Sequence, residues 1–133
     1  MTPKDALLGF AVAFLVAVLA TPLTARLARA VGAVDHPRDR GLATVETPLL
    51  GGLAMLAGIL VGAVAFLHAT PRTEDRIHGI LIGAVLIAAV GALDDRFELH
   101  PAAKLVGQIL AAVVPVRAGV EVTNITLPFV GAV

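Results

Sequence analysis

The sequence predicts an all-α fold, a bundle of about four membrane-spanning helices forming one transmembrane domain over residues 1–133. Three observations predict it. The chain is 58% hydrophobic with mean hydropathy +0.92, more apolar sequence than a soluble domain of this length needs. Only 15% of its residues are charged, with zero formal net charge. Those charges fall mainly in short stretches that separate four long apolar segments.

The segments are Ala6–Leu23, Leu49–Ala69, Ile77–Leu93 and Ala102–Val116. Crossing the hydrocarbon core takes about 20 helical residues, with a range of about 17–25. The first three fit that length; the fourth is shorter and carries Gln108. Backbone in lipid has no water to bond, so each segment is expected to be a helix. The first segment follows Lys4 as a signal peptide would. Its apolar stretch exceeds a signal core, and no clear small-x-small site precedes Arg26 and Arg29, so it reads as an uncleaved span.

Sidedness follows from the basic residues. Arg26, Arg29, Arg38, Arg40, Arg96 and Lys104 fall on one side; Lys4, Arg72, Arg76 and Arg117 fall on the other. The positive-inside rule then makes the Asp35–Gly52 loop and the Asp94-Asp95 loop cytoplasmic. The tail Val120–Leu127 is rich in β-branched residues and reads as a short extracytoplasmic strand. A lone strand is not independently stable, so the expectation is a chain cut short.

Composition also excludes functions. There is no cysteine, hence no disulfide framework and no thiolate metal site. The aromatics are all Phe and the charge is balanced, which argues against nucleic acid as a partner. His36, His68, His78 and His100 show no metal-ligand spacing. Gly58 with Gly62, and Gly79 with Gly83, have the small-xxx-small spacing of close helix packing, which also permits a homodimer. Asn124-Ile125-Thr126 fits a glycosylation sequon, a pattern common by chance.

The chemistry concentrates at Asp94-Asp95, which ends the third apolar segment. An Asp at the bilayer centre costs about 2.5–3.5 kcal/mol, and less at the interface. The pair also stands at a helix C-terminus, where the macrodipole favours cations; Arg96 partly compensates. Either the pair simply ends a helix in water, or a divalent cation bound to phosphate offsets it. Lys104 shares a helix face with Gln108, four residues on. It reads equally as a snorkelling interfacial lysine or as a cation aimed at phosphate. Thr47-Pro48 reads as the N-cap and first residue of the second helix. The glycines Gly51-Gly52 at that helix start suit an anion.

These residues together resemble a known family. The order Val34-Asp35-His36-Pro37, Arg40, then Thr47-Pro48-Leu49-Leu50-Gly51-Gly52-Leu53-Ala54 is similar to the first cytoplasmic loop of polyprenyl-phosphate N-acetylhexosamine-1-phosphate transferases, glycosyltransferase family 4. Gly91-Ala92-Leu93-Asp94-Asp95-Arg96 resembles their aspartate-pair motif, and Lys104 with Gln108 matches the opening of their next span. The family includes undecaprenyl-phosphate N-acetylglucosaminyl-1-phosphate transferase and phospho-N-acetylmuramoyl-pentapeptide transferase. The resemblance implies transfer of a sugar 1-phosphate from a UDP-sugar to a membrane polyprenyl phosphate, with release of UMP and a requirement for Mg2+. It implies Asp94 and Asp95 as catalytic and metal-associated carboxylates. It implies Lys104, Thr47, Gly51, Gly52 and Asp35 as substrate-binding residues.

Two departures stand out. Many relatives carry a basic residue and a histidine before the Thr-Pro-x-x-Gly-Gly element; here the stretch is Gly41–Glu46, with Ala43 near the histidine position. Full members also carry later loops with a further aspartate motif and a histidine-rich motif, so the chain corresponds to the N-terminal portion of the family. Two rival classes remain. Prenyltransferases and CDP-alcohol phosphotransferases need aspartate patterns absent from this sequence. A non-catalytic membrane scaffold or transporter fragment would leave the loop charges incidental.

Overall fold

The computed structural model describes residues 3–35, 46–67, 73–121, 126–127 and 131–132. The chain runs α1 (Pro3–Val31), β1 (Val34–Asp35), β2 (Thr47–Pro48), α2 (Gly51–Phe66), α3 (Glu74–Phe97), α4 (Pro101–Arg117), β3 (Thr126–Leu127) and β4 (Gly131–Ala132). Each of the four apolar segments carries a helix; the second, expected over Leu49–Ala69, is helical over Gly51–Phe66. At 1.5 Å per residue, the 29 residues of α1 reach about 44 Å and the 24 of α3 about 36 Å. These two are long and apolar enough to cross a membrane. The 16 residues of α2 are as apolar but reach only about 24 Å, a turn short of the hydrocarbon core.

α1 continues through Pro22, which has no N–H to offer the preceding turn. The hydroxyls beside it stay satisfied without water: Thr21 Oγ1 donates to the Ala17 carbonyl at 2.7 Å and Thr24 Oγ1 to the Thr21 carbonyl at 3.0 Å.

Glycine decides how the helices meet. α1 packs on α2 and α3 on α4, with a thinner contact between α2 and α3. A methyl group on Gly58 would strike the Ala13 carbonyl oxygen, and one on Gly62 would lie 3.0 Å from the Gly9 carbonyl oxygen. On the other pair, a methyl on Gly79 would strike Ala118 Cβ, and one on Gly83 would lie 3.0 Å from Pro115 Cδ. The spacing expected for close packing is therefore used within the chain. All four glycines are buried there, so they give no support to a homodimer.

α1, α3 and α4 are closed by left-handed residues. Gly32 (φ 76°) ends α1 in a Schellman motif, with the Ala33 N–H donating to the Ala28 carbonyl at 2.8 Å. Gly119 (φ 81°) ends α4 the same way, with Val120 donating to Pro115 at 3.0 Å. α3 ends on Glu98 (φ 47°), whose N–H donates to the Asp94 carbonyl at 2.9 Å. Among the described residues it is the non-glycine in this region of backbone space. Glycine is the usual choice there, because a Cβ costs about 1–2 kcal/mol.

Two local expectations are corrected. Thr47-Pro48 is not the N-cap and first residue of α2. It pairs antiparallel with β1, Asp35 opposite Thr47 and Val34 opposite Pro48. The helix starts at Gly51 with Leu50 at the N-cap and no side-chain cap. The ladder takes up the backbone that a capping threonine would otherwise have served. In the tail, Val120 and Glu121 are not extended into a strand; Thr126–Leu127 is, and it pairs with Gly131–Ala132 rather than standing alone. His36 to Val45 lie outside the described residues, as do His68 to Arg72 and Val122 to Ile125.

Two stability differences are expected. Gly58→Ala forces α1 and α2 apart and costs about 1–3 kcal/mol, while Gly91→Ala, whose added methyl meets nothing within 4 Å, is neutral or gains up to about 1 kcal/mol of helix propensity. Glu98→Gly releases the strained cap and raises stability by about 1 kcal/mol. Thermal unfolding in detergent, followed by helical circular dichroism, reads both.

Candidate active site

The small buried core of the chain lies under the site. Ala28, Ala33 and Leu50 are buried together, with Leu53 and Ala92 against them. This cluster joins the end of α1, the turn into α2 and the last turns of α3. The Leu49 N–H donates to the Ala33 carbonyl at 3.1 Å and closes the β1–β2 ladder onto α1. That ladder holds Asp35 beside the end of α3.

Asp94 and Asp95 occupy the last turn of α3. Successive helical residues point about 100° apart, so the two carboxylates leave α3 in different directions. Asp94 turns toward α4. Its Oδ2 accepts from Lys104 Nζ at 2.6 Å. Lys104 comes within reach because the chain reverses over Glu98–His100. His100 caps α4, its Nδ1 accepting from the Ala102 N–H at 3.3 Å, and Pro101 supplies the first helical residue.

A cavity of about 500 Å3 opens beside this turn. Asp35, Asp94, Asp95, Arg96 and Glu98 line it, with Gly32, Val34, Leu49 and Leu99. A second space of about 130 Å3 lies between the start of α2 and the end of α3, lined by Leu50, Gly52, Leu53, Ala88, Gly91, Ala92 and Asp95. The first is mostly polar and the second almost wholly apolar. Asp95 borders both.

The structure thus brings together Asp35, Asp94 and Asp95 in the polar cavity, and Gly52 with Asp95 in the apolar crevice. Lys104 joins through Asp94. Thr47 is the strand partner of Asp35 and exposed, lining neither space. Gly51, the first residue of α2, lines neither space. Gln108 follows Lys104 one turn along α4 and is half-buried.

Sequence reading missed Glu98 and gave Arg96 only a dipole-compensating part. Nothing in the sequence marks a glutamate for a left-handed cap. Arg96 lies 5.2 Å from the centre of the Phe97 ring, a cation–π contact. It also reaches over the end of α1, where a Cβ on Gly32 would stand 3.8 Å from its Cζ. Cations are favoured at that carbonyl-rich terminus.

The donors facing the cavity are carboxylate oxygens, the ligands Mg2+ prefers. Among the described residues no group of three or more His, Cys, Asp or Glu could hold a metal ion by itself. Mg2+ commonly binds through one or two carboxylates and completes its shell with water and substrate phosphates. The residues present fit that partial set.

Comparison with known proteins shows what the chain is similar to. The sequence profile of the family described as "Glycosyl transferase family 4" matches residues 77–133. A Bacillus subtilis protein named "Probable undecaprenyl-phosphate N-acetylglucosaminyl 1-phosphate transferase" is 33% identical over 121 residues, covering 91% of this chain and 33% of the relative. The decaprenyl-phosphate N-acetylglucosaminephosphotransferase of Mycobacterium tuberculosis is 36% identical over 132 residues, 95% of this chain and 32% of the relative. A phospho-N-acetylmuramoyl-pentapeptide-transferase of Mycolicibacterium paratuberculosis is 33% identical over 128 residues, 83% of this chain and 35% of the relative. No solved structure matches the chain. The chain spans about a third of the length of the curated relatives it matches. With the aspartate pair inside the matched profile and the likeness running over most of its residues, the chain belongs to glycosyl transferase family 4.

Proposed function

We propose that this chain supplies the phosphate-lipid half of a sugar-1-phosphate transferase. The donor is UDP-N-acetylglucosamine, the acceptor a membrane polyprenyl phosphate, and the products UMP and a lipid-linked sugar pyrophosphate for cell-wall or surface-polysaccharide assembly. One observation carries the reading: Asp95 stands where a polar cavity meets an apolar crevice at the end of an apolar helix. A phosphorylated lipid needs that junction, with water-facing donors for its head beside an apolar path for its chain. The names of two of the relatives support N-acetylglucosamine as the sugar.

In the reaction, an oxygen of the lipid phosphate attacks the β-phosphorus of the UDP-sugar. The bond from that phosphorus to the bridging oxygen breaks, and UMP leaves with the bonding pair. The second pKa of a phosphate monoester is about 6, so the acceptor is already largely dianionic near neutrality. A base to deprotonate it is therefore unnecessary, and the carboxylates act by positioning. Magnesium is the cofactor we propose; Asp94 and Asp95 would hold it with substrate phosphates, and it would supply neutralisation of phosphoryl charge.

The protein is placed by this reading in the cell membrane as a multi-pass enzyme. Arg26, Arg29, Arg96 and Lys104 lie toward one end of the bundle and support a cytoplasmic site by the positive-inside rule. UDP-sugars are met on that side.

The full-length gene product in membranes should release UMP and form lipid-extractable sugar only with both substrates. A full-length product that does neither and binds neither would leave a membrane scaffold or transporter segment as the reading. Asp94→Asn should lose activity by about 10²-fold with the same deficit at every pH; recovery as pH rises would show an essential base. Gly91→Leu fills the crevice and should raise the KM for polyprenyl phosphate about tenfold, equivalent to about 1.4 kcal/mol of binding, with the KM for UDP-N-acetylglucosamine unchanged.

A further inference from the structure

We propose that Arg96 binds the pyrophosphate of the UDP-sugar and stabilises the charge that builds on the departing UMP. This rests on the transferase reading and adds a residue to its site.

The charge of the cavity is the first observation. Asp35, Asp94, Asp95 and Glu98 line it, and among the described residues Arg96 is the cation in its wall. A nucleoside diphosphate sugar brings about two negative charges of its own, and like charges repel. Lys104 does not line this space.

The second observation is that Arg96 has donors to offer. Among the described residues no ion pair holds its guanidinium, although four carboxylates line the same cavity. Its contact is with the Phe97 ring, whose centre lies 5.2 Å from Cζ. A guanidinium lying over a ring keeps the N–H edge of its fork outward. That edge matches two phosphate oxygens at once, whereas an ammonium acts as a point charge.

The third is place. Asp95 borders both the cavity and the apolar crevice, but Arg96 lines the cavity alone. Its Cζ lies on the α1 side, where a Cβ on Gly32 would stand 3.8 Å away. The crevice lies between α2 and α3. A lipid phosphate arriving by the crevice therefore leaves Arg96 to the water-borne substrate.

The reaction makes this position productive. Each phosphate of the UDP-sugar starts with a single negative charge. When the bond from the β-phosphorus to the bridging oxygen breaks, that oxygen leaves with the bonding pair. The α-phosphate becomes the dianion of UMP, so the charge before Arg96 grows as the reaction proceeds. A fixed guanidinium then holds the transition state more tightly than the ground state, which lowers the barrier. Arg96 neither gains nor loses a proton.

The test uses the full-length protein in detergent and two readouts. In transfer kinetics, Arg96→Gln should lose kcat/KM for UDP-N-acetylglucosamine by about 10- to 100-fold, with the KM for undecaprenyl phosphate unchanged. Arg96→Lys keeps the charge without the fork and should recover only part of the loss. Equilibrium binding of UMP beside uridine isolates the phosphate. The parent should prefer UMP by about tenfold or more, and Arg96→Gln should erase that preference while uridine binds as before. Thermal unfolding of each variant separates a lost contact from a lost fold.

Arg96 also lies beside the end of α1, where any cation is favoured. Were that its whole part, Arg96→Gln would lower the unfolding temperature and raise both KM values, and Arg96→Lys would restore all of them. That outcome would overturn the assignment, as would unchanged kinetics with the preference for UMP retained. If the parent transfers no sugar phosphate, the transferase reading fails, and the comparison of UMP with uridine still decides Arg96. A parent with neither transfer nor that preference would overturn both.

Discussion

The bond between Lys104 and Asp94 ties the end of α3 to the start of α4, and the polar end of the molecule is arranged around it. Ten residues separate the partners, so no helical repeat brings them together. The reversal at Glu98–His100 does. The strained Glu98 cap ends α3 one residue after Phe97, and His100 then starts α4 so that its first turn faces back. The bond consumes one carboxylate of the pair and leaves the other directed toward α2. A chain with two adjacent aspartates at a helix end thereby presents two unlike groups rather than one patch of repelling charge.

The rest of the molecule is built to bring that turn to an apolar surface without side chains in the way. Small residues on α1 and α2, and on α3 and α4, let each pair of helices approach closely. The contact between α2 and α3 is thinner, and the open crevice lies there. Glycines thus serve two ends in this chain. Gly58, Gly62, Gly79 and Gly83 are filled by a neighbouring helix, and Gly52 and Gly91 border space.

How much of this was legible in the sequence depends on the range of the interaction. The four helices were legible because each is a continuous apolar run whose backbone has to satisfy itself. The packing glycines were legible from their spacing, although which helix each would meet was not. Thr47-Pro48 was misread because local capping preference gave way to a ladder with residues twelve and fourteen positions earlier. The carboxylate pair and Lys104 were legible as chemistry. Their direct bond was not, since Lys104 was assigned by its face with Gln108 while the deciding contact crosses a turn. The left-handed backbone at Glu98 has no sequence signature, because glycine was the residue to look for.

Arginines lie over the two Schellman ends. Arg76, near the start of α3, reaches toward Gly119 at the end of α4; Arg96, near its finish, reaches over Gly32 at the end of α1. Each guanidinium lies beside the carbonyl-rich terminus of a different helix, where a cation is favoured. A consequence for inheritance follows. A substitution at Gly32 would strain the left-handed backbone beside Arg96, in the wall of the polar cavity. The lesion would surface at the carboxylate-lined cavity although α1 contributes none of its carboxylates. A variant just past that first helix is therefore to be read at the far side of the bundle, in the cavity beside α3, through geometry alone.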